Sequence, residues 1–441
     1  MTGREATVIG GGLAGCEAAW QLAEHGIHVH LVEMKPVRKS PAHHTDKFAE
    51  LVCSNSFRSD RLSNAVGLLK EEMRILGSLI MKCADSTRVP AGGALAVDRD
   101  RFAEMVTKSI ECHPNIHTEH TEATRIPEGP SIIATGPLTS EALSEAIAGL
   151  PGLSTLNFFD AAAPIVTKDS LNDNKLFRLS RYNRGSDYLN APMNEEEYGV
   201  FIRELLNAET APVHGFEESM VFEGCMPIES MAKRGYMVPA FGPMKPVGLV
   251  DPRTGKEPFA VVQLRQDDAA DTLYNLVGFQ TRLKFGEQKR VFGLIPGLEN
   301  AEFARYGVMH RNTFMSSPGF LNERFEMIGR EELCFAGQIT GVEGYVESAG
   351  SGLVAGMTLA ARLNGEIPPL FPSFTALGSL GKHVSTFNRD FQPMNCTFGM
   401  IDPLPVTPGQ KRIRKKQERY EAIAARSLEY IRKISNNTGG R

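Results

Sequence analysis

The chain has 441 residues, 42% of them hydrophobic and 23% charged, with a net charge of −4; that length exceeds a single compact core and predicts two or three domains. No apolar run reaches the ~18 residues of a membrane helix, and Met1-Thr2-Gly3-Arg4-Glu5 leads into too short an apolar stretch for a secretory signal. Seven cysteines, an odd number with no Cys-x-x-Cys pair, argue against a disulfide framework or zinc ribbon and predict a reducing, cytoplasmic setting with no metal site.

In chain order, residues 6–10 read as a short buried strand and 13–25 as a helix stopped by Gly26; Ile27 to Glu33 then alternates like a second strand. A loop rich in His, Pro and Ser runs from Pro36 to about Arg61. Leu69, Met73, Leu76 and Ile80 at helical spacing predict one helix over roughly 65–83, and Phe102, Met105, Val106 and Ile110 predict another over 100–112. Two strands are expected within 115–136. From about 155 the texture changes to short segments separated by turn clusters such as Tyr182-Asn183-Arg184-Gly185. Around 333–363 a strand, a Gly-rich turn and an Ala-rich helix restore the α/β pattern, and a last helix is expected from near Pro408, containing Lys411 to Lys416. The simplest architecture is a discontinuous nucleotide-binding domain, residues 1–155 and 326–441, with a smaller α+β domain, 156–325, inserted between its halves.

Gly10, Gly12 and Gly15 match G-x-G-x-x-G between the first strand and first helix. The first glycine permits the tight turn, the second lets backbone approach a pyrophosphate, and the third lets helix lie close on strand. Gly11, Leu13 and Ala14 belong to the same cradle, and Glu33, about 20 residues on, is placed to accept hydroxyls of an adenosine ribose. Gly337-Gln338-Ile339-Thr340-Gly341, then Gly350-Ser351-Gly352, resembles the distal flavin-binding motif of the glutathione-reductase superfamily, and Ala134-Thr135-Gly136 resembles its mid-domain strand. The expected fold is therefore a Rossmann-like FAD-binding domain of that superfamily, with FAD contacts at Gly136, Gly337, Gln338, Tyr345 and Gly350.

Two thiols stand in polar, turn-rich surroundings: Cys53, in Cys53-Ser54-Asn55-Ser56-Phe57-Arg58, and Cys225, in Gly224-Cys225-Met226-Pro227. A nearby cation such as Arg58 lowers a thiol pKa, so both are either reactive thiolates or inert side chains. Cys16, Cys83 and Cys334 fall in helix or strand patterns and read as core.

Across almost its whole length the chain resembles the folate- and FAD-dependent tRNA (uracil-5-)-methyltransferase family, TrmFO. The matching stretches include Gly10 to Gly15, Val52 to Arg58, Tyr188 to Met193, Phe222 to Glu229, Phe241 to Leu249, Asn275 to Thr281, and Gly337 to Gly352. The resemblance implies methylation of a T-loop uridine at C5, with 5,10-methylenetetrahydrofolate as one-carbon donor, FAD as cofactor and NAD(P)H as reductant. It assigns Cys225 as the uracil nucleophile and Cys53 as a second active-site thiol and candidate base. It also places Tyr345 against the isoalloxazine and makes His310 and Asn312 candidates for the folate pterin. A tRNA partner needs cations for phosphate; Arg178, Arg181 and Arg184 recur at three-residue spacing, and Lys415 and Lys416 belong to six cations within 411–419. The alternative for each cluster is a solvated face. No membrane and no stable protein partner are implied. A flavin oxidoreductase of small molecules would instead predict a redox Cys pair close in sequence, and a non-enzymatic RNA-binding flavoprotein would be indifferent to loss of Cys225.

Overall fold

A computed structural model describes residues 4–40, 42–153, 155–161, 163–181, 185–211, 226–307, 309–388, 391–405 and 413–438, and only the backbone of 155–161, 309–313 and 437–438. Two sheets organise them. The first has six strands in the spatial order Glu326–Met327, Arg330–Phe335, Ser131–Ile133, Glu5–Ile9, His28–Glu33, Ile116–His120. All neighbours are parallel except the Glu326–Met327 hairpin arm. Numbered by chain position, the five parallel strands run 3-2-1-4-5, so the winding reverses between Glu5–Ile9 and Ser131–Ile133. Such a reversal opens a crevice at the carboxyl ends of the two strands.

The helix Leu13–Glu24 follows the first strand, and Tyr345–Leu363 follows the fifth. They meet through small residues: a Cβ on Gly352 would fall 2.2 Å from Ala14 O, and one on Gly356 2.8 Å from Ala18 O. The expected helix over 65–83 is in fact two, Ala65–Ile75 and Leu79–Ser86. Gly77 at φ +73° breaks the run, and Ser78 Oγ restarts it by accepting from Met81 N at 3.1 Å.

The second sheet, built within residues 165–305, is antiparallel, in the order Phe177–Arg178, Tyr188–Met193, Ala260–Gln266, Leu273–Leu276, Ile165–Thr167, Phe303–Arg305. The chain enters this lobe on Thr155–Ala161 and leaves it on Met309–Met315, paired antiparallel. Met315, Phe320 and Leu321 already share a core with Ile9, Ile133 and Leu333, so the chain is back under the first sheet before residue 326. The last helix is described over Lys416–Thr438; Pro408 and Lys411, near its expected start, lie outside the described residues. Glu418 in its first turn suits the positive end of a helix dipole, and a run of cations there opposes it.

Two buried charges fasten the first lobe. Lys70, fully buried, donates to Phe57 O, Arg58 O and Ser59 O at 2.9, 3.2 and 2.7 Å, where Arg58 takes φ +62°. Glu72 accepts Ala376 N at 2.7 Å and Leu377 N at 2.8 Å, the start of the helix Ala376–Ser385, and is pushed up to about 7 by burial. Burial likewise lowers Lys70 to about 7, with Asp60 opposing the shift. The unfolded chain therefore binds more protons than the folded one between that value and the ordinary lysine range, so Lys70 makes stability rise with pH across the interval. Lys70→Met orphans three carbonyls and is expected to cost about 3 kcal/mol; denaturant melts at pH 7 and pH 9.5 should show that loss and a flatter pH slope.

Candidate functional site

The turn after the first strand is shaped by what its glycines touch. Gly10 sits at φ +105°, and a Cβ there would lie 2.6 Å from Ala134 O. A Cβ on Gly15 would lie 1.8 Å from Gly10 O, so helix rests directly on strand. Gly12 is the N-cap, has no side-chain cap, and faces open space. The first N–H groups of the helix are thus left for a ligand, which suits an anion. Glu33 braces the turn: its Oε2 accepts Gly11 N at 2.6 Å and its Oε1 accepts Lys35 N at 3.0 Å.

In front of this turn lies a cavity of about 1070 Å³, part of it open to solvent. Gly10, Gly11, Gly12, Leu13, Ala14 and Glu33 line one end, and Gly337, Gln338, Tyr345 and Ser348 another, with Thr135 and Gly136 between. Gly337 is at φ +85° and Gly344 at φ +106°, the latter heading the helix that begins at Tyr345, again without a side-chain cap. Gly350 requires correction. It does not line the cavity; its Cβ position faces Leu377, Leu69 and Met73, because helical spacing turns it toward the neighbouring helices. Ser348 lines the wall instead, and Ser351 Oγ accepts Gly337 N at 2.7 Å. Lys35, His43 and Glu50 also line the cavity and were not expected. Burial drives the His43 imidazole down to about 4, so it is neutral at physiological pH.

Cys53 stands at the Tyr345 end. Tyr345 Oη accepts the Cys53 and Ser54 N–H groups at 2.8 and 3.1 Å, and burial raises its phenol pKa well above the usual range. The cation expected beside this thiol, Arg58, is committed elsewhere, paired with buried Glu347. Its place is taken by residues distant in sequence. Arg99 Nη2 donates to Cys53 O at 3.1 Å and Arg99 Nε to Asp267 at 2.8 Å; Arg265 donates to Asn55 Oδ1 at 3.0 Å and Ser54 Oγ at 2.7 Å. Arg305 Nη1 reaches Val52 O at 3.3 Å. The one hint of this in the sequence is a pair of polar residues, Gln263 and Arg265, alternating inside a fully buried strand.

Cys225 lies outside the described residues, as do Tyr182 and Arg184. His310 and Asn312 lie on the strand Met309–Met315, in register with Asp160 and Phe158. The other expected cations are engaged within the chain. Arg178 donates to Tyr274 Oη at 2.9 Å, Arg181 to Pro243 O at 2.8 Å and Lys415 to Glu418 at 2.9 Å, and Lys416 lies 5.6 Å from the Tyr420 ring centroid. Among the described residues, no group of three or more His, Cys, Asp or Glu could hold a metal ion, and no helix is long and apolar enough to cross a membrane.

A two-lobed α/β protein with an uncapped Gly-rich crevice is the class that the comparisons with known proteins define further. Residues 5–367 match the model of the family glucose inhibited division protein A. Two crystal forms of Aquifex aeolicus GidA superpose with TM-scores of 0.71 at 17% and 18% identity, covering 98% of this chain and 74% and 76% of theirs, which bears on the fold alone. Within that class the chain belongs to the TrmFO family. It is 60% identical over 430 residues to the methylenetetrahydrofolate–tRNA-(uracil-5-)-methyltransferase TrmFO of Bacillus licheniformis, covering 97% of this chain and 98% of the relative. It is 58% identical over 438 residues to that of Bacillus cytotoxicus, covering 99% and 100%.

Proposed function

We propose that the chain methylates C5 of a uridine in the tRNA T-loop, using 5,10-methylenetetrahydrofolate as one-carbon donor and FAD reduced by NAD(P)H. Membership of the TrmFO family supports the reaction. The observation that carries the site is one continuous cavity, from the uncapped helix at Gly12 to Tyr345 beside the Cys53 loop. The strand order and the position of that cavity favour the Rossmann-like FAD domain of the glutathione-reductase superfamily. In this reading residues 1–155 and 326–441 hold FAD, and 156–325 face tRNA and folate.

The residues present fit the cofactor. Glu33 with Gly10 to Ala14 would take its adenosine and pyrophosphate, and Gly136, Gly337, Gln338 and Tyr345 its flavin end. Reduced flavin supplies the hydride that brings a carbon at the methylene level down to methyl, which is why both folate and flavin are needed. The chain's own contribution is covalent and acid–base chemistry. Uracil C5 is a poor nucleophile until a thiolate adds at C6 and drives electron density onto C5; Cys225 is assigned that addition. A base must then take the C5 proton, and the C6–S bond breaks to release the thiol. Cys53 is the second thiol and the candidate base. His310 and Asn312 are assigned to the pterin, and Arg178, Arg181, Arg184, Lys415 and Lys416 to tRNA phosphates, for which Arg178, Arg181, Lys415 and Lys416 must give up their present partners. The free thiols Cys16, Cys83, Cys112, Cys334 and Cys396 agree with a cytoplasmic location.

Incubation with a tRNA transcript, methylenetetrahydrofolate and NADH or NADPH, followed by nucleoside analysis, should yield folate-dependent 5-methyluridine. No product with folate, or product from S-adenosylmethionine alone, would overturn the reading.

A further inference from the structure

The loop Val52 to Asn55 is gripped from both lobes. Arg99 opens a helix of the first lobe, Arg99–Glu111, and holds the carbonyls of Leu51 and Cys53 while forking onto Asp267 of the second lobe at 2.8 and 3.2 Å. Arg265, 7% exposed, is two residues from Asp267 on the second sheet and reaches across to Ser54 and Asn55. Asn55 Nδ2 returns the contact by donating to Gln266 O at 3.0 Å. The described charges that bear on the thiol are thus two guanidiniums, Arg99 and Arg265, with the carboxylate of Asp267 beside both and Tyr188 facing Arg265; Arg305, near Glu50, holds the neighbouring Val52 carbonyl, and burial keeps the Tyr345 phenol neutral. Asp267 makes its hydrogen bonds with Arg99 and also faces Arg265. Arg265 hydrogen-bonds neutral oxygens, so its charge is left to act on what lies beside it.

We infer that Arg99 and Arg265 are positioning residues that hold Cys53 as a thiolate at neutral pH, the proton having passed to solvent. This rests on the reading of Cys53 as an active-site thiol. A buried, fixed cation stabilises an adjacent anion without reorganising, and an opposite charge within about 4–6 Å lowers an acid's pKa by about one to three units. The consequence is mechanistic: a thiolate is ready to accept a proton, as a base must be, and a thiol is not. It is also conformational, since Arg265 and Asp267 belong to the second lobe, so any separation of the lobes would withdraw the charge from the thiol.

The test is the pH dependence of Cys53 alkylation by iodoacetamide in the reduced holoenzyme, resolved from the other cysteines by peptide mapping. The wild-type half-point should lie below that of a free cysteine. Arg265→Gln should raise it by about one unit or more, and Arg265→Lys, which keeps the charge but not the fork, should hold it near the wild-type value. Arg99→Gln should raise it as well, with flavin absorbance and thermal melting reporting whether that variant is folded; if it is not, Arg265→Gln decides. An unmoved half-point in Arg265→Gln, or an equal shift in Arg265→Lys, would overturn the inference. The profile needs no turnover. An inactive enzyme with a low half-point would therefore sink the functional reading alone, and an active enzyme with an ordinary half-point would sink this one alone.

Discussion

Cys225→Ala is expected to lower methyl transfer to tRNA by at least about 10³-fold while the bound flavin keeps its visible absorbance. The size follows from the substrate. Without a thiolate at C6, uracil C5 has no carbanion character to offer the one-carbon unit, and no other residue of the chain is assigned to that addition. The cavity assigned to the flavin is lined by Gly10 to Ala14, Glu33, Gly136, Gly337, Gln338, Tyr345 and Ser348, none of them near Cys225 in sequence. Binding and chemistry should separate cleanly, and the measurements are nucleoside analysis after single turnover and the absorbance of the purified protein. Retained turnover would show that the nucleophile is another residue.

A pair of glycine substitutions should separate fold from ligand. Gly15→Ala places a methyl 1.8 Å from the backbone oxygen of Gly10. Neither partner is the end of a flexible side chain, so the first helix must lift off the first strand, at a cost beyond the ~1–3 kcal/mol of ordinary overpacking. It also parts from Tyr345–Leu363, whose Gly352 rests on Ala14. The expected result is a protein that purifies without flavin and melts markedly lower. Gly12→Ala is the control: its φ of −79° admits alanine and its Cβ meets no atom. That methyl would enter the cavity assigned to the pyrophosphate, so the flavin-free melt should be nearly unchanged while flavin affinity falls about tenfold or more, as measured by reconstitution titration. Equal effects of the two substitutions would contradict the division of labour among these glycines.

Much of the first lobe was legible because its signals are local. Strand, Gly-rich turn, helix and acidic strand end occur within residues 5–33, and Gly10 makes the tight turn and Gly15 the close helix–strand approach in the structure, while Gly12 is left open. Where a local signal was overlooked, the error was local too. Gly77 at positive φ split one expected helix into two, and Gly350 faced its neighbours because a helix turns 100° per residue whatever motif it carries. The basic clusters show a different limit: charge is visible in sequence, but that Asp271 and Glu418 pair with Arg178 and Lys415 is seen only in the structure.

The amino-acid sequence by itself determined the nucleotide-binding crevice, its return through Gly337 to Tyr345, and the family motifs that tie the chain to uracil methylation. The surroundings of Cys53 were decided by tertiary structure alone. Arg58, five residues away, looked like its cation and is instead paired with Glu347, whereas Arg99 and Arg265 arrive from a helix of one lobe and a strand of the other. Electrostatic environment depends on distance in space, and only tertiary packing brings both guanidiniums to the loop that carries the thiol, Arg99 within the first lobe and Arg265 across from the second.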